Sequence, residues 1–455
     1  MREEQYWQPP SRSARLIVRV TVWLLFVAHF YYDQQRLLMP KKVKAEGHSK
    51  NIVALAQNTH HDEKVNKFYV WGDPTGINIT SLLSYYEWLT LEGIRKENWG
   101  FDNMPLVPVW ISKDPRSKRF IVKISMASFN KIPNANYLWR DRAVPMLNFM
   151  VATLNDRPRR KHRKPPRRDV TRLFQLLEQA YDIPFLLDFG DVPSCGDSVF
   201  SSSSIVSRPH KLHNLQLPLF EMCRPQKCNY SFPLPTYLGL RFSKISTDDW
   251  DNYFQNSDSL YPWKSKINSG VWRGGPTGLS WFPNRTWLVE QSISAPSVID
   301  AKFSWRRNQK HKMSFQDFQK FKAVIDIDGN GWSGRFLGLL CMNSVALKIQ
   351  PEFLDYNAGQ LKEWIHYIPY DLKNVSFPDF VENILEDKND AMLRKIVSNA
   401  RTWCRQHMSR SSIQDDLLDI FASFVAELDK NDPTWEHKWM PVFSDVLDAQ
   451  TIQYQ

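Results

Sequence analysis

The stretch FKAVIDIDGNGWSGRFLGLLCMNSVALKIQ, residues 321 to 350, constrains the fold more than any other. It reads as a buried strand, a glycine-rich turn, an apolar helix beginning at Ser333 and a second buried strand, which is a βαβ unit. Such a unit puts its strands parallel and needs cover on both faces of the sheet. Its turn also imitates a calcium loop, with Asp326, Asp328 and Asn330 at positions one, three and five and Gly331 at six. Position twelve, where a bidentate Glu belongs, is Leu337, and a strand rather than a helix leads in. The calcium reading fails on both counts.

The same alternation recurs. VTRLFQLLEQAY (170 to 181) carries apolar residues at helical spacing and IPFLLDF (183 to 189) is a buried strand. SGVWRGGPTG is a strand entering a glycine-rich loop, NRTWLVEQSI a helix, and NDAMLRKIVSNARTWCRQHM a long amphipathic helix. Repeated units of this kind predict doubly wound α/β domains. At 455 residues the chain has room for two, and 42% hydrophobic residues supply their cores. The net charge of +11 does not indicate nucleic acid. Eight Lys and Arg sit in one Pro-broken run, 156 to 169, with no aromatics for base stacking, which reads as a solvated loop.

LIVRVTVWLLFVAHFYY (16 to 32) is long and apolar enough for a membrane anchor, and no small-residue cleavage site follows it. Arg2, Arg12, Arg15 and Arg19 favour a cytoplasmic N-terminus. The expected organisation is a short tail (1–15), a signal anchor (16–32), a stem (33–65), two domains (66–245 and 246–425) and a C-terminal extension (426–455). Sequons at Asn78, Asn229, Asn284 and Asn374 agree with a lumenal chain. Of five cysteines, Cys223 and Cys228 stand close enough to bridge a small loop.

Three strand-to-loop junctions offer chemistry. The 326–335 turn presents backbone N–H groups and the expected helix end to an anion, with Arg335 beside them. VWRGGPTG repeats that logic with Arg273, Gly274 and Thr277, and Arg285 follows on the next helix. Together they could grip a diphosphate at the carboxyl edge of one sheet. Neither a Walker motif nor a dinucleotide fingerprint is present. The third junction, LLDFGDVPSCGD, brings Asp188, Asp191 and Asp197 to a strand end, where a carboxylate suits general-base work.

The combination of VWRGGPTG with NRTWLV, DAKF, VIDIDGNGWSGRFLGLLCMNSVALK and LKEWIHYIPYDL resembles glycosyltransferase family 90. That group joins fungal capsule-associated proteins with the protein O-glucosyltransferases. The resemblance implies a GT-B fold, two Rossmann-like domains facing a cleft that holds a nucleotide sugar. It implies inverting transfer of glucose or xylose from a uridine diphosphate (UDP) sugar, with no metal ion or other cofactor. By the same resemblance Asp191 is the catalytic carboxylate. Arg273 and Arg335, with Ser333 and Gly334, then bind the donor; Gly274, Thr277, Arg285, Asp328 and Gly329 of the same two junctions are expected beside them, and Trp364, His366 and Tyr367 lie near the cleft. Gly190 stands where the family often has Arg, and the chain closes on TIQYQ instead of an ER-retrieval tetrapeptide, so a protein or a polysaccharide acceptor both stay open. The resulting expectation is a single-pass Golgi or ER membrane enzyme with a lumenal catalytic domain and no nucleic-acid partner. The alternative is a glycan-binding or scaffolding protein on the same fold.

Overall fold

The computed structural model describes residues 106–125, 143–156, 170–179, 183–188, 219–225, 231–235, 249–278, 283–304, 310–372, 375–431 and 449–452. All of these lie within one compact unit, 63–455. The expected anchor and stem, the 157–169 basic run, Asp191, Asp197, Cys228 and the sequons at Asn78, Asn229 and Asn374 fall outside the described residues. Among the described residues no helix is long and apolar enough to cross a membrane.

The first half opens with strands β1 (Leu106–Lys113) and β2 (Phe120–Ser125). Asp114 accepts the backbone N–H groups of Arg116 and Ser117, at 3.1 and 3.2 Å, and Lys118 takes φ 57°. These bonds turn the chain back sharply, and so short a link permits only antiparallel pairing, Val109 opposite Ile124. Helices α1 (Val144–Asn155) and α2 (Thr171–Glu178) follow, then β3 (Ile183–Asp188), β4 (Leu219–Glu221), β5 (Arg224–Pro225) and β6 (Ser231–Pro233). Strands β3, β4 and β6 are mutually parallel, whereas β3 meets β1 antiparallel. The sheet of this half is therefore mixed, where the strand–helix alternation predicts parallel strands throughout.

The second half holds α3 (Trp250–Leu260), β7 (Ile267–Gly274), α4 (Arg285–Ser294), β8 (Ile299–Phe303), β9 (Phe321–Asp326), α5 (Phe336–Leu340), β10 (Val345–Ile349), β11 (Phe353–Leu354) and β12 (Ile368–Tyr370). Five of these strands form one sheet in the order β12-β10-β9-β7-β8, every neighbouring pair parallel, while β11 pairs with β5. This is the doubly wound sheet that the sequence predicts. All six residues of β9 are buried, as a central strand covered on both faces requires.

Three α-helices follow among the described residues: α6 (Phe377–Ile384), α7 (Asp390–His407) and α8 (Arg410–Asn431). The apolar stripe of α7, Leu393, Ile396, Val397, Ala400, Trp403 and Cys404, has helical spacing and is buried throughout. Helix α8 crosses the boundary expected at 425 and returns to the first half. There Phe421 and Phe424 join Phe185, Phe220 and Phe232, with ring centroids 4.7 to 5.8 Å apart. Arg172 of α2 grips Asp429 of α8 through two bonds of 3.1 Å. Strand β13 (Ala449–Ile452) then pairs with β2 at the edge of the first sheet.

Candidate functional site

The second sheet reverses its winding between β7 and β9. Strand β8 lies outside β7, and the chain then crosses back to place β9, β10 and β12 on the other side. In open α/β sheets ligands usually bind outside the carboxyl ends of the strands at such a reversal. The loops there are 275–278 and 327–335. Gly278 adopts φ +78°, and a Cβ there would stand 2.6 Å from the carbonyl oxygen of Gly329, so the two backbones approach as only glycine allows. Its N–H donates to Asn330 Oδ1 at 3.3 Å. Arg285, at the start of α4, ties both loops by donating to Thr277 Oγ1 at 2.6 Å and to the Asp328 carbonyl at 3.1 Å. A Cβ on Gly329 would lie 2.9 Å from that guanidinium. The expected convergence of the two junctions is therefore present.

The three arginines have different surroundings. Arg273 is 6% exposed, and its guanidinium donates to the Asp300 carboxylate at 2.6 Å and to the carbonyls of Asp300, Trp272 and His311. That network braces β7 against β8 and leaves little of Arg273 for a ligand, contrary to its expected place on a diphosphate. Burial alone would raise the Asp300 carboxyl, but Arg273 and Lys302 outweigh it and hold it below the usual range. Arg335 donates Nη1 to the Arg273 carbonyl, while its Nη2 is buried without a hydrogen-bond partner. Both Arg285 and Arg335 stand 5.7 Å from the Trp272 ring, close enough for cation–π attraction. Gly274 ends β7 beside these groups, accepting the Ser304 N–H at 2.9 Å.

The helix expected to begin at Ser333 begins at Phe336 and is five residues long. Ser333 instead donates its hydroxyl to the buried Asp326, and Gly334 and Arg335 form a turn before the helix. So short a helix carries little dipole, and the anion-binding capacity rests on side chains. Asp326, fully buried, also receives Lys348 Nζ at 2.8 Å. Asp328 accepts the N–H of Glu352 at 2.9 Å, and burial with the nearby Asp326 charge raises it to about 6. The carboxylates that imitate a calcium loop are thus internal partners of a lysine and of the backbone.

The sequence pattern of glycosyl transferase family 90 matches residues 144–453, more than half of the chain and the whole of this region. The chain belongs to glycosyl transferase family 90. It is 27% identical to human Protein O-glucosyltransferase 1 over 199 residues, 39% of this chain and 48% of the human protein. It is 27% identical to O-glucosyltransferase rumi of Drosophila pseudoobscura pseudoobscura over 177 residues, 36% of this chain and 42% of the fly protein. Protein O-glucosyltransferase 2 of Danio rerio is 28% identical over 183 residues, 38% of this chain and 35% of the fish protein. Each match spans less than half of the relative's length.

In this family 90 chain a cavity of about 30 Å³ adjoins the arginine site through Trp332 and Ser333. Tyr367 lines it and packs edge-on against Phe336 at 5.3 Å. His366 and Trp364 instead form a tight turn. His366 Nδ1 accepts the Lys362 N–H at 2.9 Å, and Trp364 holds φ 61° while donating to the Tyr367 carbonyl at 2.7 Å. Burial and Lys362 push His366 down to about 4, so it stays neutral at pH 7. Asp188 ends β3 buried, three residues before Asp191.

Sequence reasoning missed Lys348, Asp355 and Asn357, which also line the cavity. A lysine inside the apolar run SVALKIQ was the available signal. The expected Cys223–Cys228 bridge is corrected: Cys223 is a buried free thiol, and among the described residues a disulfide joins Cys341 to Cys404. Closeness in sequence favoured the first pair, whereas the packing of α5 against α7 brings together cysteines 63 residues apart. Asn284, read as a sequon, caps α4 by accepting the N–H groups of Thr286 and Trp287 at 3.1 and 3.0 Å.

Proposed function

We propose that this glycosyltransferase is a membrane-anchored lumenal enzyme of GT-B architecture. It moves a glucosyl or xylosyl residue from a UDP-sugar to a hydroxyl of a protein or polysaccharide, with inversion. The observation that carries this reading is the arginine pair at the β7/β9 reversal, with the buried, unpartnered Nη2 of Arg335 as the donor held ready for an anion. In this reading the acceptor oxygen forms a bond to the anomeric carbon as the bond from that carbon to the diphosphate oxygen breaks. The acceptor proton passes to the Asp191 carboxylate. Arg335 and Arg285 stabilise the negative charge that the diphosphate gains, so no metal ion is required. The Cys341–Cys404 disulfide, a bond that oxidising compartments sustain, supports a lumenal Golgi or ER location.

Two substitutions separate the roles. Asp191→Asn should abolish transfer, by roughly 10²–10⁴-fold for loss of base help alone, while UDP affinity is kept. Arg335→Ala removes a charge-assisted bond worth about 1.5–3 kcal/mol and should weaken UDP binding some tenfold to a hundredfold. Calorimetry with UDP beside a transfer assay reads both, and transfer should persist in EDTA. Wild-type UDP affinity in Arg335→Ala would defeat the assignment of the diphosphate site.

A further inference from the structure

The cavity beside the arginine site holds a polar group that the proposed chemistry has not used. Asn357 is 1% exposed, lines the cavity, and has neither its amide nitrogen nor its amide oxygen hydrogen-bonded. A buried amide left wholly unpaired is costly, and one that lines a cavity can recover that cost from a polar group entering it. The indole Nε1 of Trp332, on the same wall, is buried and unpartnered too. Asp355 adds a carboxyl group, while Phe336, Phe353 and Tyr367 give apolar and aromatic faces.

Size limits what can enter. At about 30 Å³ the cavity suits a small polar group on the scale of a hydroxymethyl. An amide that offers a donor and an acceptor together suits a hydroxyl, which needs both. The cavity is lined by Trp332 and Ser333 of the loop that carries Arg335, and the transferred sugar is one of the two groups that flank a diphosphate.

Building on the UDP-sugar reading above, we propose that this cavity takes the hydroxymethyl arm of a hexosyl donor and that Asn357 makes the enzyme select hexose over pentose. Glucose carries that arm and xylose lacks it. A pocket built to pair a hydroxyl discriminates against the analogue without one, because its own polar groups then stay unpaired.

The test is calorimetry of UDP, UDP-glucose and UDP-xylose on the full-length chain, in the wild type, Asn357→Ala and Asn357→Leu. The alanine variant enlarges the cavity, the leucine variant keeps its bulk, and both remove the amide. Wild type should bind UDP-glucose about tenfold more tightly than UDP-xylose, the scale of one buried hydrogen bond. In both variants that ratio should fall close to one, with UDP affinity within twofold of wild type. An unchanged ratio in either variant that still binds UDP overturns the assignment. So does an equal loss for all three ligands, which would mean that Asn357 serves the base or the diphosphate. Failure of the wild type to bind UDP at all would instead defeat the UDP-sugar reading beneath it.

Discussion

At the scale of the residue, burial and charge set what each polar side chain can do. Asp355 is the sharpest instance: burial, with Asp326 and Asp328 adding repulsion, lifts it to about 7, although Lys348 and the Tyr356 N–H oppose the rise. A carboxyl whose folded pKa exceeds its unfolded value binds its proton more tightly in the native state. It therefore costs stability above pH 7, and that cost disappears as the pH falls toward 4. Asp355→Asn can keep the Oδ1 bond to Tyr356 without the charge. The variant should be more stable than wild type at pH 8 and no more stable at pH 4, read as a difference in thermal midpoint. A constant difference across that range would show that Asp355 does not titrate there. Arg273 teaches the converse, since a strand-end arginine that resembles a ligand clamp is held by Asp300 and three carbonyls.

At the scale of the element, caps and close backbone contacts decide. Asn284→Asp removes the sequon and keeps an oxygen for the Thr286 and Trp287 N–H groups, whereas Asn284→Ala removes both. Loss of the cap costs about 1 kcal/mol, so only the alanine variant should unfold earlier in urea. Equal destabilisation of the two would point to a glycan in place of the cap. The loop pair makes a stricter demand. At Gly278 the φ of +78° and the 2.6 Å approach to the Gly329 oxygen leave no space for a methyl group. Gly278→Ala should therefore separate the loops and lower UDP affinity together with the thermal midpoint. The turn at 362 to 367 shows what a resemblance does not carry over. The resemblance names Trp364, His366 and Tyr367 together, and only the folded turn reveals that Trp364 bonds the Tyr367 carbonyl and His366 the Lys362 N–H.

At the scale of the whole molecule, the chain is held by contacts between its distant parts. The Cys341–Cys404 disulfide fastens α5, which follows the arginine turn, to the long helix α7. Closing a loop of that length is worth about 4 kcal/mol in the chain-entropy estimate. Reductant, or Cys404→Ser, should lower unfolding stability by roughly that amount, and a loss below 1 kcal/mol would show that packing alone holds the two helices. Helix α8 and strand β13 likewise return to the first half, so removing 410–455 should uncover Phe185 and Phe220 and lead to aggregation.

The second-half sheet was legible because a buried parallel strand is a continuous apolar run, and AVI (323–325) and VAL (345–347) are such runs. The meeting of Arg285, Thr277, Asp328 and Gly329 was legible for the same reason, since parallel neighbours bring successive strand ends to one edge. The mixed first sheet, the disulfide partners, the internal pairing of Arg273 and the unpaired Asn357 were not. Each depends on which segments distant in the chain become neighbours, and on whether a polar group buried there finds a partner within the fold. Local spacing encodes how a segment folds; tertiary packing alone decides what surrounds it.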